Sequence, residues 1–204
     1  MYYKIKEDGI FKIDLGTFWD SGECVGVFKM TEWDNEKILW EKCGIWHTVD
    51  EIHFCKMESH RDFLYGTFQM PAKEYGKKDE LFAIYILKDR VIILSDDDSI
   101  DKNIIKISGH AIAKDYSLER FIYDFFMSFI EDELLFLQKI EHKITGIEEQ
   151  VMKEQSDKFN IGLLKLKKII ARFYHYYTQL AEAGDELAGN EEEFFTEETV
   201  ELFK

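Results

Sequence analysis

Five side chains able to ligate a soft metal fall within 18 residues: Cys43, His47, His53, Cys55 and His60. Thiolate and imidazole suit zinc, but structural zinc sites draw ligands in pairs about two to four residues apart at both ends, and this spacing closes no such set. Cys43 and Cys55 also sit where small core residues belong, so ordinary burial with exposed imidazoles is the favoured reading. Asp96-Asp97-Asp98-Ser99 offers carboxylates to a hard cation. It lacks the alternating acids and distal glutamate of a calcium loop, which favours a hairpin end or helix cap. Glu141, Glu148, Glu149 and Glu154 form either a solvated face or a weak screening site for divalent cations. Ser21, Ser59 and the six histidines form no nucleophile setting, and neither G-x-S-x-G nor a phosphate-binding glycine pattern occurs. No residue set supports an enzyme.

Charge narrows the partners. The chain of 204 residues carries a net charge of −15, which argues against nucleic acid or an anionic membrane as partner, because phosphate contacts need clustered Lys and Arg. It leaves cations and basic proteins. Residues 118–204 hold 19 acids against 10 bases, so acid is denser there than in the preceding 117 residues, with 22 against 16. Three cysteines without framework spacing suit a reducing compartment. The N-terminus lacks the apolar core of a signal peptide. The longest apolar run, Leu81–Leu87, is far below the ~20 residues needed to span a bilayer, so a soluble, cytoplasmic chain is expected.

The elements that would position these side chains read as α/β over 1–117. Tyr2–Lys6 and Ile10–Ile13 flank the turn Glu7-Asp8-Gly9. Cys24–Met30 is a strand. Thr31, with Asp34 three positions on, resembles a capping box opening a helix to Lys42, ended by Cys43-Gly44. Thr48–Cys55 reads as a second short helix. Asp62–Met70, Leu81–Leu87 and Val91–Ser95 are strands, near-continuously apolar at the last two and hence expected in a sheet covered on both faces. Asp101–Ala113 is a short helix. The sum is about six strands in a mixed sheet and three helices.

Residues 118–204 read as a long helical hairpin. Apolar positions step by three and four through Phe126, Ile130, Leu134, Leu137, Ile140, Ile144, Ile147 and Val151. After the polar turn 154–157 they resume at Leu163, Leu166, Ile170, Phe173, Tyr177, Leu180 and Leu187, with Gly184 the one gap. Such spacing predicts an antiparallel pair. One unbroken helix is expected from Phe121 to Val151, with Ile140, Ile144 and Ile147 facing Leu166, Ile170 and Phe173. The aromatics Phe121, Tyr123, Phe125, Phe126 and Phe129 wrap all sides of their helix, which means burial.

At the level of pattern the chain resembles a known family. Ser117-Leu118-Glu119-Arg120-Phe121-Ile122-Tyr123-Asp124, then Phe129-Ile130-Glu131-Asp132, then Leu137 through Val151, is similar to the first long helix of CorA-type divalent metal-ion transporters. Leu164-Lys165-Leu166-Lys167-Lys168 with Leu180 and Leu187 resembles the returning helix, and Thr199–Lys204 the opening of the stalk helix that leads to the membrane. Asp62–Pro71 resembles the strand following the family's helical segment, and Leu81–Ser95 its central sheet hairpin. The Gly-Met-Asn signature at the pore mouth and both membrane helices are absent, which leaves a chain cut before the membrane segment or a natural soluble relative; the first is the simpler expectation.

The resemblance implies a cytoplasmic domain, reaching the membrane only through a C-terminal segment absent here. It would regulate a homopentameric transporter of magnesium or other divalent cations. Intersubunit cations would hold the pore closed by neutralising facing carboxylates. In that family an acid near the end of the small N-terminal helix pairs with an aspartate on the next subunit's stalk. Asp50 or Glu51 is the nearest match to the first, and the second would lie at or after Lys204. Weak regulatory Mg2+ is the implied ligand. The alternative is a soluble acidic helical module that docks a basic partner.

Overall fold

Alternation within the strands decides the architecture. The computed structural model describes residues 1–35, 41–45, 49, 51–74, 76–109, 115–131, 133–152 and 156–204. Seven strands occur among them: β1 (Tyr2–Lys6), β2 (Gly9–Ile13), β3 (Cys24–Phe28), β4 (Lys56–His60), β5 (Phe63–Met70), β6 (Glu80–Ile86) and β7 (Arg90–Leu94). They form one sheet in the order β2-β1-β3-β7-β6-β5-β4. Of these strands only β3 and β7 pair in parallel, Cys24 beside Arg90 through Phe28 beside Leu94. The other pairings are antiparallel. The mixed sheet expected from the sequence is present.

Period-two alternation sends neighbours to opposite faces. Val25, Val27, Ile84, Ile86, Val91 and Ile93 join one apolar cluster, whereas Cys24, Phe28, Ala83, Tyr85, Ile92 and Leu94 join another. Both faces are covered, as the apolar runs require. The second face carries α1 (Leu15–Asp20) and α2 (Met30–Asn35), whose Phe18 and Trp33 are wholly buried. The first carries α3 (Ser99–Gly109), α4 (Leu118–Ile130), α5 (Glu133–Met152) and α6 (Ser156–Gly189); α7 (Glu197–Phe203) packs on α4 and α6.

Several local expectations are corrected. Helix α2 begins at Met30, not after Thr31. The Glu32 carboxylate accepts from the Lys29 N–H at 3.3 Å, and Asp96, from the turn after β7, accepts from the Met30 N–H at 3.2 Å. The cap is therefore tertiary. The expected helix over Thr48–Cys55 is not helical at residue 49 or at 51–55; residues 48 and 50 lie outside the described set. Backbone groups engaged elsewhere hold it extended: the Cys55 N–H donates to Gln179 Oε1 at 3.0 Å, and the Phe54 carbonyl accepts from Thr67 Oγ1 at 3.2 Å. It leads into β4, an edge strand whose polar, alternating sequence gives no strand signal of its own. The short helix α1 is likewise unexpected.

The unbroken helix from Phe121 to Val151 is also corrected. Helix α4 stops at Ile130 and α5 restarts at Glu133. The buried row runs Ile122, Phe125, Glu133, Phe136 and Ile140, with Phe129 partly buried in step, so it leaves the expected stripe already at Ile130, which is 39% exposed. Leu134 and Leu137, expected inside, are 73% and 41% exposed, while Glu133, Phe136 and Ile140 are buried. On α6 the buried row is Leu166, Ile169, Phe173, Tyr176, Ala183 and Leu187, with Leu180 partly buried in step between Tyr176 and Ala183. That row alternates three and four without a gap. Ile170, expected in the seam, is 43% exposed. Phe136, in the first turn of α5, meets Phe173 with ring centroids 4.4 Å apart.

Candidate functional site

Glu51 stands on the extended segment before β4. Its carboxylate is exposed and lies 3.3 Å from His53 Nε2. The neighbouring Ile52 and Cys55 are buried and hold the backbone, so Glu51 points to solvent from a fixed base. Asp50 lies outside the described residues. One carboxylate beside one imidazole is a meagre donor set for magnesium, which takes oxygen ligands and keeps most of its water.

The other sequence candidates do not converge. Cys55 is buried, and burial pushes its thiol up to about 11. Burial likewise pushes Cys43 up to about 12, with Arg90 opposing and Asp89 adding to it. His60 stacks on Phe63, with ring centroids 4.7 Å apart. His47 lies outside the described residues. Among the described residues no three His, Cys, Asp or Glu side chains form a group able to hold a metal ion. Asp96 caps α2, while Asp97 Oδ1 accepts from the Ser99 N–H at 3.4 Å at the start of α3. The acidic triplet is thus built into helix starts, as its spacing favoured. Glu141, Glu148 and Glu149 are exposed on α5.

Sequence reasoning missed the most heavily engaged carboxylates. Glu133 is 6% exposed, accepts from the Tyr177 hydroxyl and lies 3.1 Å from Lys73 Nζ. Burial and then this hydrogen bond push the Tyr177 phenol far above its usual range. Asp79 accepts from the Ala72 N–H at 3.0 Å, from Gln69 Nε2 at 2.8 Å and from the Arg172 guanidinium. Burial raises the Asp79 carboxyl, but those donors outweigh it and hold it below the usual carboxylate range. The sequence signal was a charged residue, Glu133, one step out of phase with the apolar stripe.

Two of the cavities along α6 adjoin its middle and its C-terminal part. One of about 490 Å3 is bounded by Met70, Lys73, Glu80, Phe129, Glu133 and Tyr176. The other, about 380 Å3 and mainly apolar, lies between α4, α6 and α7 beside Met127, Leu180, Gly184 and Phe203. Among the described residues no helix is long and apolar enough to cross a membrane.

The comparisons agree on this architecture. The soluble domain of CorA from Methanocaldococcus jannaschii superposes with a TM-score of 0.76 at 18% identity, over 100% of this chain and 85% of that one. The complete CorA magnesium transporter of the same organism gives 0.77 at 17% identity, over 99% of this chain and 66% of that one. The cytoplasmic domain of ZntB from Vibrio parahaemolyticus gives 0.73 at 11% identity, over 99% of this chain and 90% of that one. No curated protein matches the sequence. The family model described as CorA-like Mg2+ transporter protein matches residues 42–204, which takes in the sheet from β4 onward and every helix after it, and the chain belongs to that family.

Proposed function

We propose that this chain is the cytoplasmic, metal-responsive domain of a divalent-cation transporter, with residues 1–117 as its α/β layer and 118–204 as its helical part. The family match over residues 42–204 carries the reading. Magnesium is the first cargo to test, because the family model's description specifies it. In the assembled transporter, a pentamer on this reading, Glu51 or Asp50 supplies one carboxylate per subunit. A neighbouring copy supplies the second, and a hydrated cation between them removes their mutual repulsion. When cytoplasmic magnesium falls, the repulsion returns and favours opening. The chain spans 66% of the length of the complete CorA magnesium transporter.

The donor set predicts weak binding by the chain alone. Isothermal titration with magnesium chloride should show no site tighter than about millimolar, and little thermal stabilisation at sub-millimolar magnesium, since stabilisation grows only as RT ln(1 + [L]/Kd). Glu51→Gln and Asp50→Asn should weaken whatever binding is measured. Micromolar binding that both variants leave intact would put the site elsewhere and count against this reading.

A further inference from the structure

We propose that the connection between β5 and β6, described at residues 71–74 and 76–79, is a brace that fixes the helical hairpin against the sheet, and that the buried carboxylate of Glu133 is the member whose loss releases it. This goes beyond the transport reading and does not depend on it.

Two anchors carry the inference. At one end, Asp79 gathers the Ala72 N–H and the Gln69 amide from the strand side and the Arg172 guanidinium from α6. The two ends of the connection are thereby tied to each other and to a helix. At the other, Lys73 lies 3.1 Å from Glu133 at the first turn of α5, with its ammonium 5.9 Å from the Phe136 ring centroid. Glu133 also accepts from Tyr177 on α6. A carboxylate this buried needs its compensating donors. Here they come from two separate elements, the brace and α6. Helix α5 cannot leave its seat without stripping both.

The cavity of about 490 Å3 lies beneath the brace. Helix α6 is seated directly on β4, whereas α5 meets chiefly α6 and α4, so the polar anchors bear on the position of α5. Glu133 is also the first residue after the break between α4 and α5, the point where an angle between the two helices can change. A second pair, Lys106 with Glu131 at 2.8 Å, guards the same junction but is half-exposed and correspondingly weak.

Amide hydrogen exchange by mass spectrometry on the full chain tests the brace. Glu133→Gln should speed exchange in α5 and in the N-terminal half of α6 by about tenfold, with β3 and β7 unchanged. Lys73→Met, a change at a half-exposed residue that leaves the fold intact, should give a smaller acceleration in the same peptides. The double variant should accelerate exchange by less than the two single changes combined, because both remove the Lys73–Glu133 link. Hairpin exchange at the parent rate in both single variants would overturn the proposal. So would equal acceleration of sheet and hairpin, or full additivity in the double variant. If Glu133→Gln does not fold, Lys73→Met and Arg172→Met decide the matter by the same readout.

Discussion

A side chain at Gly26 would place its Cβ 2.8 Å from Cζ of Phe18, so the ring of α1 occupies the space above β3 that any other residue would need. Real Cβ contacts are not that short, and Phe18 is wholly buried with no room to retreat. Gly26→Ala should therefore destabilise by about 1–3 kcal/mol through overpacking. Gly184 is the opposite case. It lies inside α6, where an added methyl would meet nothing within 4 Å, so Gly184→Ala should stabilise by about 0.5–1 kcal/mol from helix propensity. Urea melts of the pair should move in opposite directions.

The corrected phase of α6 makes a sharper prediction. Ile169 is buried and Ile170, its neighbour, is 43% exposed. Ile169→Ala should cost about 2–4 kcal/mol, and Ile170→Ala less than about 1 kcal/mol. Equal losses in chemical denaturation would show that the seam runs as the sequence stripe alone suggests.

Acid should loosen the anchor at Asp79. Its carboxyl is held below the usual range in the folded state, so its contribution is fully present above the ordinary carboxylate pKa. That contribution is lost as pH falls through the lowered folded value. Asp79→Asn should flatten the acid limb of the stability curve relative to the parent, measured by thermal melts between about pH 5 and pH 2. A parallel shift of the whole curve, with the limb unchanged, would mean that Asp79 titrates as an ordinary surface acid.

Alkali acts in the reverse sense on the thiols. Cys55 and Cys43 are raised to about 11 and about 12, so the fold favours their protonated forms. Their contribution is complete below the ordinary thiol pKa and is lost as pH rises toward the folded values. At about pH 7.5 Cys55 should resist a thiol reagent in the native protein and react readily in denaturant. Prompt native labelling of Cys55, identified by peptide mapping, would contradict its burial.

How much of this was legible in sequence depends on the reach of the determining contacts. Strands β1, β2, β3, β5, β6 and β7 announce themselves through local apolar runs, and the mixed, doubly covered sheet follows from them. The cap of α2 does not, because Asp96 arrives from a distant connection. Nor does β4, whose Lys-Met-Glu-Ser-His sequence has little apolar signal and whose lead-in is fixed by Gln179. The hairpin stripes were visible as periodicity, but their phase turned on Glu133. A charged residue is passed over when apolar positions are counted, and only Tyr177 and Lys73 make its inward place tenable. Of the candidate metal acids, Glu51 is exposed and Asp50 lies outside the described residues.

The parallel seam between β3 and β7 also shapes how the chain acquires its structure. On either side of it the strands join neighbours close in sequence: β1 with β2 and β3 before it, β4 through β7 after it. Those two meanders can form from local encounters. Their union must wait until residues 29–89 have been closed into a loop, an entropic cost incurred before Val25 and Val91 gain anything from meeting. Among the strand pairings, the seam is therefore the one with the longest loop to close. A chain stalled before it would expose an apolar edge on each half, two unpaired strands able to find each other in a different molecule.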